Sequence, residues 1–209
     1  MNDVVNDMTP FLKELFNVIG IDTEYLTGYL TSDEMQYLST ALKSIEDFQS
    51  EFYSDEHGEN LEVLLHFLSC HKEDVQVIWQ DPNKKEILLK LYTSDVISGN
   101  YDCFHFDLSK FEQTYSPNGK KLDLYRVGRV GESVESIGNS WATDYAGLRN
   151  YARASSIEVD ERPIFAIKIN DSEVLCYGQS RESELILKKN FKYDQAKLLT
   201  AEERREIFA

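Results

Sequence analysis

An α+β fold, with helices first and a sheet second, is what this 209-residue sequence predicts. Three observations carry that expectation. Up to about residue 98, apolar residues recur at steps of three and four, the period of an amphipathic helix. Beyond it the pattern shifts to short alternating runs rich in β-branched and aromatic residues, the period of a strand. The two patterns are consecutive rather than interleaved, which separates a helical layer from a mixed sheet holding one internal helix. The expected division is a helical region over 1–100, which can belong to the same domain, and a sheet-bearing core over 101–209.

The first helix opens near Pro10, a residue suited to a first turn. It carries Phe11, Leu12, Leu15, Phe16, Val18 and Ile19 to a stop at Gly20. A second begins after a cap at Thr31 or Ser32, and its stripe of Met35, Leu38, Leu42, Ile45 and Phe48 predicts one continuous amphipathic helix. The polar break at 55–60 precedes a third helix with Leu61, Leu64, Leu65 and Leu68. Asp81-Pro82-Asn83 precedes a fourth, with Ile87, Leu88, Leu91, Tyr92 and Val96, closing near Gly99-Asn100.

Alternation over Phe104–Leu108 then predicts a strand, and Ser116-Pro117-Asn118-Gly119 a turn. Leu122–Val130 predicts the next strand and Ile137–Trp141 a short one. Residues 144–154 predict a helix capped by Thr143 or Asp144. Strands follow at 164–169, 173–177, 182–187 and 195–199. Thr200-Ala201-Glu202-Glu203 reads as a capping box that opens a terminal helix.

The formal net charge of −15 favours solubility and weighs against a broad electrostatic grip on nucleic acid or anionic lipid. Three cysteines, Cys70, Cys103 and Cys176, are odd in number and widely spaced, as in a reduced, cytoplasmic protein. No apolar run reaches the ~20 residues that span a bilayer, so no membrane partner is expected. His66, Cys70 and His71, with Cys103 and His105 beyond, have the residue types of a zinc site. Cys70, however, sits among Leu64, Leu65, Phe67 and Leu68 and reads as core, and no metal is expected.

Three stretches of the second half carry chemistry in type. Leu124-Tyr125-Arg126 puts a guanidinium on a strand. Gly138-Asn139-Ser140-Trp141 puts a hydroxyl and a ring at a strand end before a helix. Arg181-Glu182-Ser183-Glu184-Leu185-Ile186-Leu187 opens an apolar run with two carboxylates. On a strand, Glu182 and Glu184 would share one face, which is costly for like charges unless a cation comes between them.

Together these stretches, with Tyr151-Ala152 after the second, resemble the ADP-ribosyltransferases of the arginine–serine–glutamate class, a group with many bacterial and phage toxins and modifiers. The resemblance covers residues 121–190. The serine element reads Ser140-Trp141-Ala142 where the family commonly has Ser-Thr-Ser. It implies an ADP-ribosyltransferase-like catalytic core and NAD as substrate. It also implies transfer of ADP-ribose to a macromolecular acceptor, a protein arginine favoured over RNA or DNA.

By the same resemblance, Glu184 holds a ribose hydroxyl and steadies the ribose cation, and Ser140 fixes the Glu184 rotamer. Glu182 serves the acceptor. Arg126 binds the pyrophosphate or the adjacent ribose, and Tyr125 lies beside it among the cofactor-binding residues. Trp141, Tyr145 or Tyr151 packs on nicotinamide. A toxin of a toxin–antitoxin or phage-defence system, or a phage-encoded modifier, is the implied setting. The N-terminal helices would cover the sheet, or would meet the target or an antitoxin or inhibitor protein. A non-catalytic module with the same fold is the alternative. One geometric demand follows: Arg126, Ser140 and Glu184 must line one cleft, with Ser140 in hydrogen-bond reach of Glu184.

Overall fold

The computed structural model describes residues 8–48, 58–94, 96 and 104–208. The chain divides into two units, Met1–Phe111 and Glu112–Ala209. Their charges differ sharply. Residues 1–111 hold 7 Lys+Arg against 21 Asp+Glu, and residues 112–209 hold 15 against 16.

Six helices are described in the first unit: α1 (Pro10–Ile19), α2 (Thr23–Tyr29), α3 (Ser32–Ala41), α4 (Glu59–Cys70), α5 (Lys72–Gln80) and α6 (Glu86–Tyr92). Helix α1 has Thr9 as N-cap, Pro10 in its first turn, and Gly20 at φ 77° as its left-handed stop. Helix α3 opens on a reciprocal Thr31–Glu34 capping box.

It ends at Ala41, earlier than the apolar stripe predicts. Asp47 Oδ2 accepts from the backbone N–H groups of Lys43 (2.9 Å) and Ser44 (2.8 Å), which starts a separate 3-10 turn at Ile45–Asp47. Ile45 and Phe48 are still buried, so the stripe marks burial correctly but not helical continuity.

Helices α2 and α5 are additions to the expectation. The strand expected over Phe104–Leu108 is replaced by a single bridge, Phe106 to Ile21, followed by a 3-10 turn at Leu108–Lys110. Gly99-Asn100 and Cys103 lie outside the described residues. Cys70 is exposed, not core, and touches His66 at 3.6 Å. Among the described residues no three His, Cys, Asp or Glu side chains group as metal ligands, and no helix is long and apolar enough to cross a membrane.

All six described strands lie in the second unit: β1 (Lys121–Val127), β2 (Ser140–Ala142), β3 (Ile164–Asn170), β4 (Val174–Tyr177), β5 (Glu184–Leu187) and β6 (Lys197–Leu198). They form one sheet in the order β4-β5-β2-β1-β3-β6, antiparallel at every pairing where a mixed sheet was expected, because each described neighbour pair runs in opposite directions. Helices α7 (Tyr145–Ala154) and α8 (Ala201–Phe208) complete the unit.

Strand alternation sorts the core into two faces. Leu124, Trp141, Phe165, Ile167 and Leu185 pack on one face with Phe191. Val127, Ala142 and Ile164 pack on the other with Leu148 and Ala152 of α7 and Ile207 of α8. Asp171, 1% exposed, accepts from the N–H groups of Asn118 (2.7 Å) and Gly119 (3.2 Å) and so pins the turn before β1.

Candidate active site

Register brings the cleft together. Tyr125 of β1 pairs with Ala142 of β2, and Ala142 pairs with Glu184 of β5, so the three share one sheet face. Ser140, two residues before Ala142, joins them there. The Ser140 hydroxyl donates a short hydrogen bond to Glu184 Oε1. Glu184 Oε2 accepts from the backbone N–H of Gln179 at 2.7 Å. Both carboxylate oxygens are thus anchored, one from β2 and one from the segment after β4. The cleft above them is lined by Tyr125, Arg126, Ser140, Tyr151, Glu182 and Glu184, over a floor of Val127, Ala142 and Leu148. Its interior is about 20 Å³, the room of roughly one water.

Glu182 reaches this cleft by a route other than the expected one. Strand β5 begins at Glu184, and Ser180–Glu182 is a 3-10 turn ended by Ser183 at φ 48°. The left-handed residue breaks the two-residue alternation, so the same-face argument for the pair fails although both side chains line one cleft. Helix α7 holds that turn. Asp144 caps the helix by accepting from Gly147 N–H (2.7 Å), and Asn150 Nδ2 donates to Arg181 O (2.8 Å). Thr143, the other expected cap, instead donates its N–H and hydroxyl to Ser183 O.

Arg126 borders the same cleft as Ser140 and Glu184, as expected, but its guanidinium is already engaged. Alternation sends it toward the face of Phe165, its register partner on β3. Nε donates to Glu132 Oε1 at 2.8 Å and Nη2 to Glu132 Oε2 at 3.1 Å, a fork-to-fork pair. Nη1 donates to Ser140 O at 2.9 Å. The two side chains are 10% and 5% exposed, so the fork expected to grip a pyrophosphate already holds a carboxylate. Burial works to raise the Glu132 pKa. Bonds from Arg126 and from the N–H groups of Arg129 and Gly138 outweigh it and hold the carboxyl below its ordinary value. Removing one partner of such a buried pair costs about 3–5 kcal/mol.

Trp141 is 1% exposed, packs in the core on the opposite face and donates Nε1–H to Gly138 O at 2.9 Å. It is a core residue and presents no ring face to the cleft. Tyr151 does line the cleft. Tyr145, 40% exposed, meets Tyr125 at a ring-centroid distance of 4.6 Å. Burial, then the Tyr145 hydroxyl, pushes the Tyr125 phenol up to about 12. Cys176 on β4 is pushed up to about 12 by burial and then by Glu184, so it stays a neutral thiol and offers no competing nucleophile.

Comparison of the chain with family models, with curated proteins and with solved structures finds no match. The chemistry of the cleft therefore rests on its own geometry. A larger hollow of about 90 Å³ in the same unit mixes Lys121, Lys168 and Lys192 with Glu173 and Asp194. It lacks a paired hydroxyl and carboxylate, and the smaller cleft is the better-built site.

Several residues escaped the sequence reading. Glu132 and Gln179 are two, and three glycines are the others. A Cβ on Gly138 would lie 2.4 Å from Arg126 Nη2, one on Gly147 2.1 Å from Glu182 O, and one on Gly178 2.0 Å from Glu184 Oε2. Each glycine leaves room for one of the site's own groups. Their nearness to the three motifs was the available signal.

Proposed function

We propose that the cleft is the nicotinamide–ribose end of an NAD site and that the chain is a mono-ADP-ribosyltransferase. The observation that carries this reading is the carboxylate of Glu184, anchored on one oxygen by Ser140 and on the other by Gln179 N–H. The bond from nicotinamide to ribose C1′ breaks with its electron pair leaving on nicotinamide, and a cation spreads over C1′ and the ring oxygen. A carboxylate already fixed in place stabilises that charge without reorganising. It does so more in the transition state than in the ground state, which is what lowers the barrier. Paired carboxylates serve glycosidases against a comparable cation.

Glu182, across the same cleft, accepts the proton of the acceptor nucleophile as its lone pair closes on C1′. Tyr151 and Tyr125 line the cleft with both carboxylates, Tyr145 packing against Tyr125, and one of these rings would take the nicotinamide. A cleft with the room of about one water encloses neither ring of the nicotinamide–ribose end, so the dinucleotide would meet Glu184 and Glu182 from the open mouth of the cleft.

A protein side chain, with arginine favoured, is the acceptor in the first reading. A nucleic-acid acceptor is the second, and one observation favours keeping it. The unit that holds the cleft is almost charge-balanced, so that unit by itself does not repel a polyanion.

The test is transfer of label from adenylate-labelled NAD to cell extract, with free nicotinamide measured in parallel. The wild-type chain should transfer label and release nicotinamide, and Glu184→Ala should do neither. Absence of both from the wild type removes the enzyme reading. Label lost to nuclease rather than protease moves the acceptor from protein to nucleic acid.

A further inference from the structure

The Arg126 guanidinium does three things at once. It closes a fork on Glu132, donates to Ser140 O and occupies the space a Cβ on Gly138 would need. Glu132 in turn accepts from Gly138 N–H (2.8 Å) and Arg129 N–H (2.8 Å). It therefore gathers both ends of the 128–138 segment onto one arginine.

Strands β1 and β2 share the single register pair Tyr125–Ala142. Just beyond that pair, the Arg126 bond to Ser140 O joins the two strands through a side chain instead of the backbone ladder. The residue so held is the one whose hydroxyl anchors Glu184. Alternation directs the Arg126 side chain to the sheet face opposite the Tyr125–Ala142–Glu184 row, although Arg126 still borders the cleft.

We infer that Glu132 is a positioning residue for the reaction: through Arg126 it sets the depth and direction of Ser140, and through Ser140 the rotamer of Glu184. Arg126 on this inference is the middle of a relay Glu132–Arg126–Ser140–Glu184. The inference rests on the ADP-ribosyltransferase reading for its kinetic consequence and on the geometry alone for its structural one. A carboxylate moved by about an ångström loses on the order of a hundred-fold in rate.

Two variants test it. Glu132→Gln removes the charge and half of the fork. Gly138→Ala keeps both charges and crowds the guanidinium, and Gly138 does not use a positive φ, so alanine fits its backbone. Each should lower kcat for nicotinamide release by about ten- to a hundred-fold, with KM for NAD within about two-fold of the wild type. Glu132→Gln combined with Arg126→Lys should lose no more kcat than Arg126→Lys alone, because both act through one path.

A second readout needs no activity. The indole N–H of Trp141 bonds to Gly138 O, whose own N–H bonds to Glu132, so its NMR resonance should move in Glu132→Gln. Folded variants with wild-type kcat, or with the loss confined to KM, overturn the relay. If the wild type itself releases no nicotinamide, the enzymatic reading fails, and an unmoved indole resonance then overturns the relay as well.

Discussion

At Glu184, two donors from different elements leave the carboxylate one orientation. A hydrogen bond to a charged group contributes about 1.5–3 kcal/mol. Ser140→Ala should therefore lower kcat about 10–100-fold, with NAD affinity little changed. A Ser140→Ala variant that turns over like the wild type would show that Gln179 alone suffices. Gly178 permits a cleaner perturbation. Its φ is not positive, so alanine is sterically allowed in the backbone, yet the new methyl would run first into the Glu184 carboxylate. Gly178→Ala should leave the melting temperature close to wild type and reduce nicotinamide release on the order of a hundred-fold. A large fall in melting temperature with normal specific activity would assign Gly178 to folding instead. Ser140 and Glu184 were legible in the sequence because a hydroxyl and a carboxylate announce themselves. Gly178 and Gly138 were not, because their contribution is an absent atom.

Helix α7 ties the Ser180–Glu182 turn to the sheet, and its dependence on Asn150 can be measured. Asn150→Ala removes the bond to Arg181 O and should depress transfer to the acceptor more than hydrolysis of NAD, since Glu182 rides on that turn and Glu184 does not. Equal losses in both assays would mean that the turn supports the whole cleft. Helix α8 offers a pH test. Lys197 and the Thr200 N–H bonded to Glu203 hold its carboxyl down to about 2. A depressed carboxyl stabilises the fold above its unfolded pKa of roughly 4.3. The contribution fades as pH falls from there toward about 2. Melting between pH 6 and pH 2 should show this loss in the wild type and a shallower one in Glu203→Gln; parallel curves would refute it. The capped elements α1, α3, α7 and α8 were readable because caps are local chemistry. The alternation at Phe104–Leu108 misled because period two states what a strand would bury, not whether a partner strand exists. Ser183 hid for a related reason. A left-handed turn needs no glycine when the carbonyl it presents is bonded by both groups of Thr143.

For the molecule as a whole, the order of helices before sheet was legible from periodicity, and the mixed α+β class stands. The pairing order of the strands was not, since it depends on contacts between residues as distant in sequence as Ser140 and Ile186. Both apolar faces of the sheet and every cleft residue fall within Glu112–Ala209. A fragment of residues 112–209 should therefore fold alone and give the near-ultraviolet circular dichroism of a packed Trp141, its sole tryptophan. A flat spectrum would show that the fragment needs the preceding helices. The uneven charge gives that experiment a practical handle. Cleavage between the units would yield one strongly acidic polypeptide and one close to its isoelectric point near neutral pH. A single anion-exchange column would then part them, retaining the helical piece and letting the sheet-bearing one flow through.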